Sequence, residues 1–468
     1  MLQRTDDNES LFQASDMKKD GLDLGKGPIL PLLLKMSWPS IAAMFAMALY
    51  NLVDIFWLTR LDPQAVAALT VCFPIQIIFG AIGVGTGVGA GSFAARMFGA
   101  GQHTKARQTA GQAILLCALL GLVIIVITLI YQDTILEIFG ATGDILPLSR
   151  QYLVTVVIGS PFLLCLMVSN NLLRAEGNPK ASMYVILVMS LTGAILDPFL
   201  IFGLGLFPML GILGAAISAV VSYFLASLLS LYYLRMNASR YNLNWSHMIP
   251  NFSIIASIYQ TGFPTVIMNF VFSLVMIVYN HVLGAFGPMA IAALGLCFRI
   301  NHLVIMVLFG MGHGIMPMVG FSEGAGLHKR LMETVNVAVK ISVLFSATAF
   351  VILEVFAYPI LLLFTSDQEL LTIAVPAVRI FATMLLLGGP IIVWINMFIG
   401  LGKGLTSMLL LMMRDTLLLI PMLLFLPSLF GLTGVWAAQP IANLLAFFVI
   451  LFWKKREFRM IEGRDSWS

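Results

Sequence analysis

Two aspartates stand inside stretches that are otherwise apolar, Asp54 in LYNLVDIFW and Asp197 in GAILDPFLIF. An acid within a membrane span costs about 2.5–3.5 kcal/mol on insertion scales, so such a residue marks a functional site by default. Two carboxylates held together repel when both are ionised, which makes the pair a natural proton-sharing site. Ringed by hydroxyl and carbonyl oxygens, the same pair can instead hold Na⁺. Pro198 adds to this chemistry, because a proline within a helix frees a backbone carbonyl and permits a bend beside Asp197. Ser218 and Tyr152 fall at a similar depth and join the expected ion-coupling set. A structural polar cluster that merely ties helices together is the competing reading.

Other chemistry is largely excluded. Cys72, Cys117, Cys165 and Cys297 lie singly in apolar runs, with no metal-ligand or disulfide spacing. The six histidines form no H-E-x-x-H pair. The glycines at 83, 85, 87, 89 and 91 are followed by no Gly-Lys-Ser/Thr, so the chain is not built to hydrolyse ATP. With no nucleophile–base or metal constellation, an enzyme is not expected, nor is a cofactor other than H⁺ or Na⁺ as coupling ion. The second half has its own charges: Arg299, His302 and His313 along one run, Glu323 beyond it, and adjacent Arg414 and Asp415. Arg299 and Asp415, at similar depth, are expected to neutralise each other as a structural ion pair. Arg379 and Glu354 receive no role.

The elements that carry these residues follow from composition. Of 468 residues, 60% are hydrophobic and 10% charged, with a mean hydropathy of +0.97. A soluble chain runs at about 45–50% apolar and about 25% charged. The apolar runs are near 20 residues, which predicts membrane-spanning helices rather than a barrel. Twelve are expected, near 36–59, 64–93, 108–131, 148–173, 181–204, 212–235, 256–284, 289–318, 331–357, 372–400, 406–427 and 432–453. Of the 26 Lys and Arg, 20 fall in the terminal segments and the connections after even-numbered spans. The opposite loops hold Arg60 and Arg150, so both termini are expected on the cytoplasmic side of the plasma (inner) membrane. In that frame Asp54 and Asp197 both lie roughly 8–11 Å below the outer surface. Residues 1–27 are polar and mixed in charge, unlike a cleavable signal peptide.

The chain also repeats itself. An offset of 225 aligns residues 39–105 with 264–330 without a gap, at 20 identities. Pro39 meets Pro264, Cys72-Phe73 meets Cys297-Phe298, and GAGQH at 99–103 meets GAGLH at 324–328. Six spans per half is an even number, so equivalent helices run the same way: a parallel pseudo-two-fold repeat. The expected fold is an all-α integral membrane protein, with twelve transmembrane helices in two six-helix lobes. Its expected parts are a polar cytoplasmic tail at 1–30, an N-terminal lobe at 31–235 and a linker at 236–255. A C-terminal lobe at 256–453 and a basic tail at 454–468 follow. At the same offset Asp54 falls on Tyr279 and Asp197 on Met422, so the paired acids belong to the first half alone.

These segments resemble the multidrug and toxic compound extrusion (MATE) family over about residues 36–455. The likeness rests on MALYNLVDIFWLTRL, AALTVCFPI, GAGQHTKARQ, NNLLRAEGNPKASM, ILDPFLIFGLG and GILGAAISAVVS. It looks closest to the DinF-like branch, in which Asp54 and Asp197 match coupling acids. The resemblance implies export of organic, often cationic or amphiphilic, small molecules in exchange for H⁺ or Na⁺, by alternating access of two lobes. It adds Asn170 to the ion-coupling set, and Tyr152 matches a position of that site as well. Tyr50, Asn51 and Trp57 match positions lining or supporting that site and, with Met47 and Arg299, form the expected substrate cavity. Gly193 and Ala219 depart from the Asn and Thr often found there, which tells against direct Na⁺ coordination more than against proton coupling. Small organic substrates and the lipid bilayer are the expected partners, with no nucleic acid and a monomer sufficient for function. The rival is a flippase for a lipid-linked substrate, which usually needs a strongly basic cavity; only Arg299, Lys340, Arg379 and Arg414 fall within spans away from their ends.

Overall fold

In a computed structural model, residues 22–61, 63–141, 143, 145–205 and 207–465 are described. Residues 1–21 of the predicted N-terminal tail and 466–468 of the basic tail lie outside them. In chain order the helices are α1 (Ile29–Leu61), α2 (Pro63–Gly99), α3 (His103–Ile138), α4 (Ile145–Ile158), α5 (Ser160–Ala175), α6 (Pro179–Phe202) and α7 (Ile212–Arg235). The second half continues with α8 (Phe252–Gly284), α9 (Pro288–Gly324), α10 (His328–Leu362), α11 (Gln368–Ala382), α12 (Leu385–Gly400) and α13 (Gly404–Met412). A π-helical segment (Met413–Leu419) then leads into α14 (Ile420–Asp465).

Among the described residues nine helices are long and apolar enough to cross a membrane. Two further crossings are bent, α4 with α5 by 50° and α11 with α12 by 47°. The final stretch from Gly404 is 61 residues. At 1.5 Å per residue it would reach about 90 Å, three times a hydrocarbon core. Gly431 divides it, with φ 55° and ψ −140°, a conformation that glycine alone adopts easily. That makes twelve crossings. Between the sixth and seventh crossings, the expected linker holds a short 3₁₀ turn (Trp245–Met248) capped by Asn244. It is pinned to its own half: the Ser239 hydroxyl and the Arg240 amide donate to Glu176 Oε2, at 2.7 and 3.1 Å. Partial burial and the positive charge of Arg107 hold the nearby His247 below the ordinary histidine range.

The chain divides into two compact units, and the division falls inside two helices. One unit comprises Met1–Gly27 and Ala42–Gly262; the other comprises Pro28–Ile41 and Phe263–Ser468. The glycine run explains the packing that this requires. In the first unit a Cβ on Gly89 would stand 2.1 Å from the Ile258 carbonyl, and one on Gly262 would stand 2.6 Å from that of Gly85. In the second unit, Cβ atoms on Gly310 and Gly314 would meet Ile41 and Ser37 at 2.4 and 2.6 Å. Small residues four apart let helix backbones approach this closely, which drives packing in lipid. Asn171 and Asn396, 225 apart, each bond the carbonyl four residues back at 2.9 Å and sit against Gly87 and Gly312. The duplication thus persists at the level of single side chains.

Candidate functional site

The first unit gathers acids, tyrosines and a glutamine from five helices. α1 supplies Tyr50 and Asp54, α2 supplies Gln76, α4 supplies Tyr152, α6 supplies Asp197, and α7 supplies Ser218 and Tyr223. Asp54 and Asp197 lie within electrostatic reach of each other, and both lie within reach of Tyr50 and Tyr223. Tyr152 is buried near Asp54, and its hydroxyl accepts a 3.0 Å hydrogen bond from Gln76 Nε2.

Asp197 is the unusual member. It is fully buried, and neither carboxylate oxygen has a hydrogen-bond partner among the described residues. A buried carboxylate left in that state is expensive, and a bound cation or proton removes the cost. Pro198 has no N–H to give the Ala194 carbonyl, and Ser218, beside Asp197, donates to the Gly193 carbonyl at 3.3 Å. Oxygen atoms are therefore concentrated along one turn of α6. Gly193 permits the arrangement: a Cβ there would stand 2.3 Å from Cε2 of Tyr50, so the tyrosine ring lies flush on the α6 backbone.

The other expected site residues are distributed differently. Asn170 on α5 belongs to a separate buried cluster: Arg174 donates to it, and its Nδ2 donates to the Ser182 carbonyl at 3.0 Å. Arg174 also reaches Asn171 Oδ1 at 2.8 Å. Trp57 is half-buried and packs edge-on against Phe202, with ring centroids 5.8 Å apart. Met47 and Asn51 are exposed on α1, and Arg299 is exposed on α9 in the other unit. Asp415 is held by its neighbour Arg414, at 2.7 Å, rather than by Arg299 as the depth argument expected. Gln76 and Tyr223 escaped the sequence reading, because a lone amide or tyrosine in an apolar run usually reads as packing.

The MatE family profile matches this chain twice, at residues 39–199 and 264–425, reproducing the duplication. The multidrug export protein MepA of Staphylococcus aureus strain MSSA476 is 27% identical over 436 residues, covering 92% of this chain and 95% of that protein. An FAD transporter of Shewanella oneidensis is 28% identical over 430 residues, covering 91% and 94%. The solved structure of a multidrug resistance MATE family transporter of the MOP superfamily in its outward-facing conformation superposes with a TM-score of 0.89. That match has 26% identity and covers 95% of this chain and 99% of that one. With both halves matched and the twelve-crossing fold shared, the chain belongs to the MatE family.

Proposed function

We propose that the protein is a secondary active efflux antiporter that exports small organic compounds, often cationic or amphiphilic, in exchange for H⁺ or Na⁺. The observation that carries this reading is Asp197: a fully buried carboxylate with two unpartnered oxygens, within reach of Asp54. With both acids ionised and no cation bound, repulsion favours separation of α1 and α6. Taking up a proton or Na⁺ removes that repulsion and favours closure, with a bend at Pro198. A ligand shifts such an equilibrium only by its differential affinity for the two states. Ion and substrate therefore disfavour each other reciprocally, and exchange follows by alternating access. The multidrug names of the relatives support export of varied compounds.

The test is efflux from proteoliposomes under separately imposed pH and Na⁺ gradients. Asp54→Asn and Asp197→Asn should each abolish gradient-driven export while the purified protein stays folded. Full transport by Asp54→Asn would show the coupling assignment to be wrong.

A further inference from the structure

The second unit has a polar cluster of its own, built on the equivalent helices. Tyr279 is Asp54 shifted by 225, and Asp415 is Ser190 shifted by 225, on the helix equivalent to the one that carries Asp197. After the shorter connection the register becomes 220, as GILG at 211–214 and GLTG at 431–434 attest, so Gln439 answers to Ala219 and Asn443 to Tyr223. These residues come together. The fully buried Tyr279 lies within electrostatic reach of Asp415 and hydrogen-bonds Gln439 Oε1 at 3.3 Å; Gln439 in turn reaches Asn443 at 3.4 Å. Beside them Tyr279, Phe298 and Phe381 form a mutual aromatic cluster, with centroids 5.6–6.4 Å apart.

The charged pair itself has an uncommon construction. Arg414 and Asp415 are consecutive, yet they form a two-pronged bridge, Nε to Oδ1 at 2.7 Å and Nη2 to Oδ2 at 2.9 Å. Neighbours on an α-helix do not face each other. Here the helix is locally π, over Met413–Leu419, the kind of insertion that gathers at functional sites. The next residue, Thr416, keeps a buried hydroxyl with no partner among the described residues. A pair between adjacent residues of one helix ties no two helices together, so helix glue does not explain it. Nor is it sealed away: the side chains are 21% and 14% exposed.

Opening such a pair dictates what can bind. A simple cation that takes Asp415 strands the Arg414 charge in a low-dielectric site, and a simple anion strands Asp415. A molecule carrying both charges compensates both. Its carboxylate or phosphate suits the guanidinium fork, its cation suits Asp415, and an apolar body suits the half-buried ring of Phe298 at the edge of the aromatic cluster. We propose that Arg414 and Asp415 form a substrate subsite for zwitterionic amphiphiles, the internal ion pair opening to exchange partners with the ligand's two charges. This rests on the export reading above and names a substrate class within it.

The experiment compares two dyes on one scaffold: rhodamine B, which carries a carboxylate and a delocalised cation, and its ethyl ester, which carries the cation alone. Affinities are read by fluorescence anisotropy on the full chain in neutral-lipid nanodiscs, without any gradient. The wild type should bind rhodamine B about tenfold tighter than the ester. In R414Q/D415N the ratio should fall to within about twofold. Should that variant fail to fold, R414K, which keeps the charge but loses the fork, should narrow the ratio instead. Equal affinity of the wild type for the two dyes overturns the proposal, as does a preference that survives both substitutions. Because binding is read without a gradient, failure of export in proteoliposomes would count against the antiport reading separately.

Discussion

Gly193 is where one hydrogen atom in place of a side chain decides the local chemistry. The Tyr50 ring occupies the volume that any Cβ would need, at 2.3 Å. Gly193→Ala should therefore push the ring off α6 or strain the helix, costing about 1–3 kcal/mol as overpacking does. In a Tyr50→Ala background the same substitution should cost almost nothing. Thermal unfolding of the four purified proteins measures that non-additivity directly. The acids of this site were legible in the sequence because charge inside a span is rare and costly. The ring on Gly193 was not, since it depends on the rotation of two helices that sequence spacing leaves open. Arg414 and Asp415 illustrate the same limit: depth alone paired Asp415 with Arg299, while a local π-helix paired it with its neighbour.

At the scale of elements, the two halves reuse one turn. Gly211 (φ 56°, ψ −130°) and Gly431 (φ 55°, ψ −140°) have nearly the same backbone, each followed by a glycine three residues on. Cβ atoms on those following glycines would meet the carbonyls of Leu200 and Leu426 at 2.4 Å. Gly431→Val should lower the melting temperature, because this conformation costs a branched residue about 1–3 kcal/mol. Gly211→Val should do likewise, since the same backbone strain applies and a Cβ there would be only in ordinary contact with Leu61, at 3.6 Å. Differential scanning fluorimetry of the two variants checks both. Helix number was legible because hydrophobic length counts crossings. The bends of α4–α5 and α11–α12 were not, since each falls inside a single apolar run.

For the whole molecule, charge bias predicts a topology that labelling can read without interference. The four native cysteines are all buried. A cysteine introduced at an exposed serine therefore reports its own side of the membrane. Ser366→Cys, between α10 and α11, should react with an impermeant maleimide in intact cells, whereas Ser246→Cys in the linker should react only after permeabilisation. The reverse pattern would invert the orientation drawn from Lys and Arg. The duplication was legible as a register of 225, because cysteine, proline and histidine rarely coincide by chance. The exchange of helix segments between the units was not, since identity along a chain does not say which copy a helix packs against.

That exchange has a consequence for how the protein is made. Residues 28–41 belong to the unit whose remainder begins at Phe263. At about 5–20 residues per second, a ribosome needs on the order of 10–45 s to cover that interval. During this time the first segment lacks the α9 glycines, Gly310 and Gly314, that it will later pack against. The first half thus emerges with an unfinished edge, and its assembly is held open until the second half arrives.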